Sequence, residues 1–406
     1  MRSRYWIAAA LVLFILTNTP AFGLDWEAAR TLAENNNNQL AGAKQQLESY
    51  KYSYNKAFTP LFPQLSASIS AANSNSGTNS YAYGLSASQV LFDGLQNSFS
   101  IRSAFNDIEY QQASLNSVKA TVLYDTRAGF IEVHNGQQNI KLLEKILAQR
   151  KDDSQMMELR YNSGKEDKGN LMRTQADEAL AGYDLSSAKR DLLLARLKLG
   201  QLINETVAAV EENNAMPVPP TANLDELVET TPTYIMAKKQ ITSATLAKEA
   251  TITGFLPTVS LSGNLRKSDT TWPPAADSRS LSMSLSYSFF PGGSNIVNVD
   301  IYRARLAQAE QDFAKATKDL RYNIELAYQN YYNAVESLAV GKINLAAAEE
   351  RSKITKMKYL NGLVMYDEWN RIENSYIQAQ KSYLAQEKAV LIAEAAWYKA
   401  YGGYKK

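Results

Sequence analysis

The chain has 406 residues, of which 43 are Lys or Arg, 41 are Asp or Glu, one is His and none is Cys. These counts exclude zinc sites of the usual Cys and His kinds, disulfide bonds and thiol catalysis. At roughly 150 residues per domain, the length allows two or three domains, or one elongated unit built from an internal repeat.

Residues 1–23 have the pattern of a secretory signal peptide. Arg2 and Arg4 form a charged start, and the apolar run from Ile7 to Leu16 is too short to span a bilayer. Ala21-Phe22-Gly23 offers a small-x-small cleavage site. We therefore expect an exported protein whose mature chain begins directly after this site.

The expected mature chain, from Leu24 onward, is electrically neutral. The signal segment holds two Arg and no acid, which leaves 43 − 2 = 41 basic against 41 acidic residues. Because a nucleic-acid binder would show a basic surplus or stripe, nucleic acid is not expected as a partner. No later stretch approaches the ~18 apolar residues that suggest a membrane helix, so an exported chain of this kind is soluble or crosses a membrane as strands.

An internal duplication is the main feature of the sequence, with a shift of 198 residues between its two copies over a long stretch. We predict a first repeat over residues 24–210, a Pro-rich linker over 211–223 and a second repeat over 224–406. At this shift Phe92-Asp93-Gly94 matches Phe290-Pro291-Gly292, and Tyr161-Asn162-Ser163-Gly164 matches Tyr359-Leu360-Asn361-Gly362. Upstream of this stretch, Leu24-Asp25 and Leu224-Asp225 open the two copies.

Each copy begins with a predicted helix and passes into strands at a proline. In the first copy, composition predicts one helix from Leu24 to about Phe58, with Asp25 placed to cap its start. Pro63 and its counterpart Pro257 are the predicted helix–strand junctions, because proline cannot continue a helix.

A β-hairpin follows in each copy, over residues 64–92 and 257–290. Apolar residues alternate with Ser, Gly and Asn, most regularly from Ser280 to Phe289. A sheet half buried in a soluble sandwich would explain one such hairpin, whereas lipid-facing strands better explain long strands with aromatic ends. The aromatic residues expected at the membrane interfaces are Phe58, Phe62, Phe92, Phe255, Trp272, Phe289 and Phe290.

Four strands are too few for a membrane barrel, since bacterial single-chain barrels begin at about eight. An open edge in lipid would leave backbone groups without hydrogen bonds, so the chain must pool its strands with other copies. Two copies would supply eight strands and three would supply twelve. A serine-lined interior with little bulk favours the larger number.

The hairpins are followed by helices that are too long for a globular domain. Residues from about Asn97 to Tyr161, and from Asn295 to Leu360, contain no Pro, and each stretch would form a helix of about 95–100 Å. Apolar residues in the second stretch recur at three- and four-residue steps, as in coiled-coil packing. An envelope spacer or coiled-coil stalk would explain these helices as well as a channel does, but not the membrane hairpins.

The order of these features resembles the TolC-like outer membrane efflux protein family. The resemblance covers the whole mature chain and includes the strand exits Val90-Leu91-Phe92-Asp93-Gly94 and Ser288-Phe289-Phe290-Pro291-Gly292, with the two Tyr-x-x-Gly turns. It implies a mainly α fold with a small β part. Three chains would build one twelve-stranded β-barrel in the outer membrane of a Gram-negative bacterium, continued by a long periplasmic α-helical barrel.

The same resemblance implies the function and the partners. The homotrimer would be a passive exit duct of a tripartite efflux or type I secretion system, set in outer-membrane lipid. It would join a periplasmic adaptor protein and an inner-membrane pump of the RND, ABC or MFS type. Because a passive tube has little chemical selectivity, the sequence does not reveal whether the substrate is a drug, a metal or a protein.

In family terms, the two Tyr-x-x-Gly turns form the periplasmic tips that contact the adaptor. Gly362, Leu363 and Val364 resemble the family's tip motif. In the other turn, Gly164 is followed by the charged residues 165–168, which departs from that motif. The two tips are therefore not expected to make identical adaptor contacts.

The resemblance also implies a periplasmic gate a few residues beyond the second tip. Glu368 lies six residues after Gly362, with Asp367 beside it, and Arg371 lies three residues further on. A ring of Glu368 in a trimer would attract cations and repel anions. We expect Glu368 and Arg371 to form links that hold the tip closed; the alternative is an ordinary solvated helix pair.

Two other functions have less support from the residues. A structural or adhesive coiled-coil envelope protein would have the helices but no transport activity. A hydrolase in the barrel would need a nucleophile with a base, and the only imidazole, His134, lies in a predicted helix and is expected to be a packing or surface residue. We therefore predict no catalytic residue, no cofactor and no metal site.

Overall fold

A computed structural model describes residues 23–73, 79–212, 217–220 and 223–403. Apart from Gly23, the predicted signal peptide lies outside the described residues, as does part of the predicted linker. The repeat and linker boundaries remain predictions. Contacts divide the chain into two compact units, which are described separately below.

The chain forms eight helices and four strands in its described part. The helices are α1 Trp26–Asn36, α2 Asn38–Ala57, α3 Gln96–Asn162, α4 Lys168–Ile203, α5 Leu224–Thr230, α6 Pro232–Ala250, α7 Ser294–Leu360 and α8 Tyr366–Ala400. The strands are β1 Gln64–Asn73, β2 Asn79–Phe92, β3 Thr258–Asp269 and β4 Ala276–Ser286. The prediction of a mainly helical chain with four strands is confirmed, and α3 and α7 have 67 residues each.

The first predicted helix is interrupted, so the expectation of one helix from Leu24 to Phe58 is wrong. Asn37 has extended backbone and separates α1 from α2. Its side-chain oxygen accepts hydrogen bonds from the N–H groups of Gln39 and Leu40, and its amide donates to the carbonyl oxygen of Leu202 at 2.9 Å. Asparagine forms such a cap well, because its short side chain replaces the missing helical acceptors.

The second copy has a break at the corresponding place. Thr231 separates α5 from α6, and its hydroxyl oxygen accepts a hydrogen bond from the N–H of Tyr234 at 3.1 Å. Pro232 occupies the first position of α6, where its missing N–H costs nothing. The two copies therefore share a broken entry helix that begins again at a polar cap.

The difference in length between the copies falls before these breaks. From Leu24 to Asn37 the chain advances 37 − 24 = 13 residues, whereas from Leu224 to Thr231 it advances 231 − 224 = 7. Four of the six missing residues come from the first helix, which has 11 residues in α1 and seven in α5. The other two come from its start, because α1 begins two residues after Leu24 whereas α5 begins at Leu224 itself. Beyond the breaks, the two copies have the same number of residues between the cap residue and the junction proline, since 63 − 37 = 26 and 257 − 231 = 26.

The smaller unit comprises the described residues 23–29, 129–201 and 205–212. Its chain entry is fixed by a backbone bridge between Leu24 and Val210. The side chain of Gln137, on α3, donates to the carbonyl of Val210 and accepts from its N–H, both at 3.0 Å. Trp26 packs edge-on against the fully buried Phe130. These contacts hold the extended segment after α4 in place.

The larger unit contains the sheet, α2, α5 to α8 and the first part of α3. Its apolar core runs between α7 and α8, where Tyr331, Leu338, Val390 and Trp397 are buried together. A second cluster joins Val228 of α5 to residues of α7. No helix in the described part of the chain is both long enough and apolar enough to span a membrane.

The four strands form one antiparallel sheet in chain order β1-β2-β3-β4. The second hairpin pairs with the first through β2 and β3, from Tyr81 opposite Asp269 to Phe92 opposite Val259. Within the described chain, β1 and β4 each pair along one edge only. The sheet is therefore open at both sides.

The predicted last strand is longer than the observed one. β4 ends at Ser286, so Tyr287 and Phe289 lie beyond the strand. Ser286 is paired with Thr258, the first residue of β3, and Pro257 before it has no N–H with which to continue the ladder. The loss of a hydrogen-bonding partner therefore ends the strand, although the sequence still alternates.

Candidate functional site

The sheet has two chemically different faces. On one face the strands carry small polar residues, and hydroxyl groups of opposite serines share hydrogen bonds: Ser66 with Ser86 at 2.6 Å, and Ser260 with Ser284 at 2.8 Å. The other face is apolar and exposed in the single chain. Its side chains with more than half of their surface exposed include Leu65, Ile69, Leu85, Leu265, Leu281, Met283 and Leu285.

The exposure of this apolar face indicates that the single chain is only part of the complete assembly. A contiguous apolar face of this size marks a protein or membrane contact, because water disfavours it. The serine face, in contrast, is suited to water. An open sheet that is apolar on one side and hydroxyl-lined on the other has the chemistry of a barrel segment with lipid outside and water inside.

The structure places Pro63 and Pro257 directly before β1 and β3. Each follows a short 3₁₀ turn, and the preceding residue, Phe62 or Leu256, has extended backbone. Proline favours this conformation in the residue before it. Both prolines therefore stand where the chain changes from helix to strand.

The two helical tips have the same backbone. Gly164 and Gly362 both have φ of 74°, a conformation that glycine adopts without strain. In the second tip, the N–H of Gly362 donates to the carbonyl of Tyr359, and the N–H of Leu363 donates to that of Lys358 at 2.9 Å. This pair of bonds satisfies the last carbonyls of α7, and the first tip repeats it at the end of α3.

The side chains of the two tips differ. At the second tip, Tyr359, Tyr366 and Trp369 are buried against one another. The rings of Tyr359 and Trp369 are stacked with their centroids 4.7 Å apart. One turn further along α8, the fully buried Glu373 accepts a hydrogen bond from the Ser352 hydroxyl at 2.6 Å.

The first tip has polar side chains around the equivalent turn. Arg160 and Glu166 approach to 3.7 Å, and the Asn170 amide donates to Glu166 at 3.0 Å. Asp167 caps α4 by accepting from the N–H of Asn170. Residue 171, at the position equivalent to Trp369, is leucine. The first tip is thus held by charges and hydrogen bonds, and the second by rings.

The predicted gate residues lie on the surface of the single chain. Asp367, Glu368 and Arg371 are exposed at the start of α8, and Leu363 is 72% exposed at the turn itself. Within the described residues, no ion pair joins Glu368 to Arg371, and neither side chain has another partner. The link expected between them is therefore absent from the single chain.

Sequence reasoning missed the aromatic cluster of the second tip. The motif Tyr-x-x-Gly includes Tyr359 but does not indicate what its ring contacts, and Trp369 lies outside the motif. The signal was present, since Tyr366 and Trp369 are spaced three apart on one helix face and follow a turn that points them back at Tyr359. Among the described residues, no group of three or more acidic, His or Cys side chains could hold a metal ion.

Comparisons with known proteins agree with this architecture. A family model described as outer membrane efflux protein matches residues 29–205 and 224–403. The outer membrane efflux protein BepC of Brucella suis is 21% identical to this chain, and the match covers 95% of this chain and 89% of BepC.

Two solved structures show the same fold. The CmeC outer membrane channel of Campylobacter jejuni superposes with a TM-score of 0.80 at 16% identity, covering 93% of this chain and 85% of CmeC. The open state of the MtrE outer membrane channel of Neisseria gonorrhoeae has a TM-score of 0.76 at 19% identity, covering 93% of this chain and 89% of MtrE. These relatives are efflux proteins or channels, which gives no support to a structural, adhesive role. The chain belongs to the outer membrane efflux protein family and is an efflux channel of the outer membrane.

Proposed function

We propose that three copies of this chain form the exit duct of a tripartite efflux or type I secretion system. The observation that carries the proposal is the open four-stranded sheet with one exposed apolar face. Three such sheets supply twelve strands, and joining β4 of each copy to β1 of the next removes every open edge. The serine faces then line a passage wide enough for water.

The helical tips are proposed as the site of adaptor contact. Leu363 and Met365 are largely exposed beside the turn at Gly362, where they offer an apolar surface to a partner. The turn at Gly164 instead offers charged side chains, including Lys165 and Asp167. An adaptor of the periplasm would therefore meet two chemically different tips, and energy would come from an inner-membrane pump.

Purification in detergent tests the assembly. We expect a particle with three times the mass of one chain, and large ion-conducting pores when it is added to a planar lipid bilayer. A monodisperse single chain that stays in solution without detergent would contradict the proposal, because its apolar sheet face could not remain exposed to water.

The gate is proposed to form between copies, since the single chain has no bond between Glu368 and Arg371. In the trimer, three Glu368 carboxylates close to the axis would favour cations. We expect Glu368→Ala to reduce cation selectivity and Arg371→Ala to raise the conductance of the closed channel. Arg173→Ala is the matched control, because Arg173 is the counterpart of Arg371 and lies beside Asp177 in its own chain. Unchanged conductance and selectivity in both gate variants would remove the gate proposal and leave the duct intact.

A further inference from the structure

The apolar face of the sheet becomes charged near the turn between β3 and β4. Along β3, the side chains on this face are Val259, Leu261, Gly263 and Leu265, and then Lys267. Along β4, Leu285, Met283 and Leu281 are followed by Arg279 on the same face. Two cations therefore stand where the apolar band ends on two neighbouring strands.

We propose that Lys267 and Arg279 bind the phosphate groups of anionic lipid headgroups in the outer leaflet of the outer membrane. This inference rests on the proposed function, in which the apolar face meets lipid and the helices lie in the periplasm. The turn between β3 and β4 then lies at the outer surface, and the two cations reach the headgroup level.

The length of the apolar band supports this level. Lys267 lies eight residues beyond Val259, which is about 26 Å along a strand. The outward apolar band of outer-membrane barrels is about 25 Å tall. At the usual strand tilt of about 35–45°, this length rises about 20 Å through the membrane. With Val259 at the inner end of the band, the Cα atom of Lys267 lies just inside the outer boundary, and its long side chain extends the ammonium group to the headgroups.

The register brings the two cations close together. Lys267 is paired with Asp277, and Leu265 with Arg279, so Lys267 and Arg279 are diagonal neighbours on one face. Diagonal neighbours in a sheet are about 7–8 Å apart, a distance that two long side chains can close around one phosphate group. Arginine binds such oxygens with two parallel N–H groups.

The acidic residues nearby are already engaged. Asp269 accepts hydrogen bonds from the backbone N–H groups of Thr270 and Ala275 and so shapes the turn. Asp277 accepts from Nε and Nη2 of Arg279, which leaves three of the five guanidinium donors for a ligand. Within the described residues, Lys267 makes no ion pair. The two aspartates balance the formal charges of Lys267 and Arg279, but the Lys267 ammonium group and three guanidinium N–H groups of Arg279 remain free to donate to a phosphate group.

Aromatic rings lie beside the two cations, on β2 and in the turn after β3. Tyr83 is paired with Lys267, and Trp272, from the turn after β3, packs edge-on against both Tyr81 and Tyr83. Tyrosine and tryptophan gather at membrane interfaces, because their rings are apolar and their tips are polar. Cations beside such rings are placed at the depth of the phosphate groups.

The chain supplies its own control. Arg266 immediately precedes Lys267 and is also exposed, but alternation places it on the serine face, which lines the proposed passage. Arg266→Gln removes one charge from the same strand and leaves the lipid-facing charges in place. An effect of total charge would affect both variants, whereas lipid binding depends on the face.

The test compares purified wild type, Lys267→Gln, the double variant Lys267→Gln/Arg279→Gln, and Arg266→Gln in an uncharged detergent. Each is titrated with diphosphorylated lipid A and with lipid A freed of both phosphates, and bound lipid per trimer is measured by native mass spectrometry. We expect the double variant to bind the phosphorylated lipid about tenfold more weakly, since it loses two charge-assisted contacts. Lys267→Gln should show a smaller loss, and Arg266→Gln should stay within about twofold of wild type.

Several results would overturn the inference. These are unchanged binding in the double variant, an equal loss in Arg266→Gln, or equal binding of the two lipids. Full displacement by millimolar inorganic phosphate would also overturn it, because it would identify a free-anion site. The mass and conductance of the same preparations separate the two proposals: trimers that conduct but show no lipid preference overturn this inference alone, whereas failure to form trimers or pores overturns the proposed function and this inference with it.

Discussion

The ring of Tyr359, in the last turn of α7, lies parallel to the indole of Trp369 in the first turns of α8, with 5° between their planes. Both side chains are almost fully buried, and Tyr366 closes the cluster from the side. The stack joins the two arms of the second helical hairpin at its very end. A helix terminus would otherwise fray.

Replacing Trp369 by leucine, the residue at the same place in the first copy, should loosen this tip. The variant loses the aromatic pair, worth about 0.5–1.5 kcal/mol, and leaves part of the indole volume empty. We expect the amides of residues 359–369 to exchange hydrogen about tenfold faster or more. Leu171→Ala, in the first tip, should leave their exchange unchanged. Equal protection in wild type and Trp369→Leu would show that the turn alone holds the tip.

Ser352→Ala should destabilise the same helical hairpin at its next turn. The variant removes a 2.6 Å hydrogen bond to the buried carboxyl of Glu373, at an expected cost of about 1–3 kcal/mol. Ser154→Ala is the matched control, because Ser154 is also buried but Gln175 occupies the position equivalent to Glu373. Thermal unfolding in detergent should separate the two variants, and equal midpoints would contradict this assignment.

Gly84→Ala should damage the joint between the two β-hairpins. A Cβ atom at Gly84 would lie 2.6 Å from the carbonyl oxygen of Leu265, so the backbones of β2 and β3 would have to separate. Gly263→Ala, on the neighbouring strand, meets nothing closer than 3.7 Å and should be tolerated. We expect loss of heat-resistant trimers in the first variant only, as judged by electrophoresis. Intact trimers in Gly84→Ala would mean that this pairing is dispensable.

Asn37→Ala should weaken the entry helices of the first copy. It removes the cap of α2 and the bond to Leu202, with an expected cost of about 1–2 kcal/mol. Asn35→Ala, two residues earlier on an exposed position, is the control. Denaturant unfolding measures both. A similar small effect in the two variants would argue against a capping role.

Acidification should weaken one contact between α1 and α3. Burial alone would raise the pKa of Glu34, but the hydrogen bond and charge of Lys119, together with those of Arg30, lower it overall. A lowered folded-state pKa contributes stability above the pKa of an unfolded glutamate, and this is lost as the pH falls through the folded-state value. Because the group is partly exposed, the expected contribution is about 0.5 kcal/mol. Glu34→Gln should therefore be less stable than wild type at pH 7, and the gap should close in acid; a constant gap would contradict the ion-pair account.

The sequence predicted the regular parts of this fold for clear physical reasons. Alternation of period two placed the strands, and the absence of proline placed α3 and α7 to within about a residue or two at each end. The breaks at Asn37 and Thr231 were missed, because a polar cap inside a helical composition looks like an ordinary surface residue. The end of β4 was missed because it depends on a partner strand, which periodicity within one strand cannot reveal.

At the helical tips, too, the backbone turns could be predicted from the sequence and the side-chain contacts could not. The glycine turns were predictable, because a positive φ requires a particular residue at Gly164 and Gly362. The stacking of Tyr359 on Trp369 depends on how two helices meet. The unpaired state of Glu368 and Arg371 depends on side-chain placement, which their three-residue spacing only permits.

The second copy has six fewer residues between its start and its polar cap than the first copy, and this shows where the architecture accepts a change of length. The deletion is absorbed ahead of a cap that restarts the helix, so no residue downstream has to rotate to a new face. Shortening or lengthening α2, α6 or the 67-residue helices by six residues would rotate every later side chain of that helix to a different face. A change of length in the mature chain is therefore accepted between the start of a copy and its polar cap, provided that the contacts of Leu24 with Val210 and of Trp26 with Phe130 are kept.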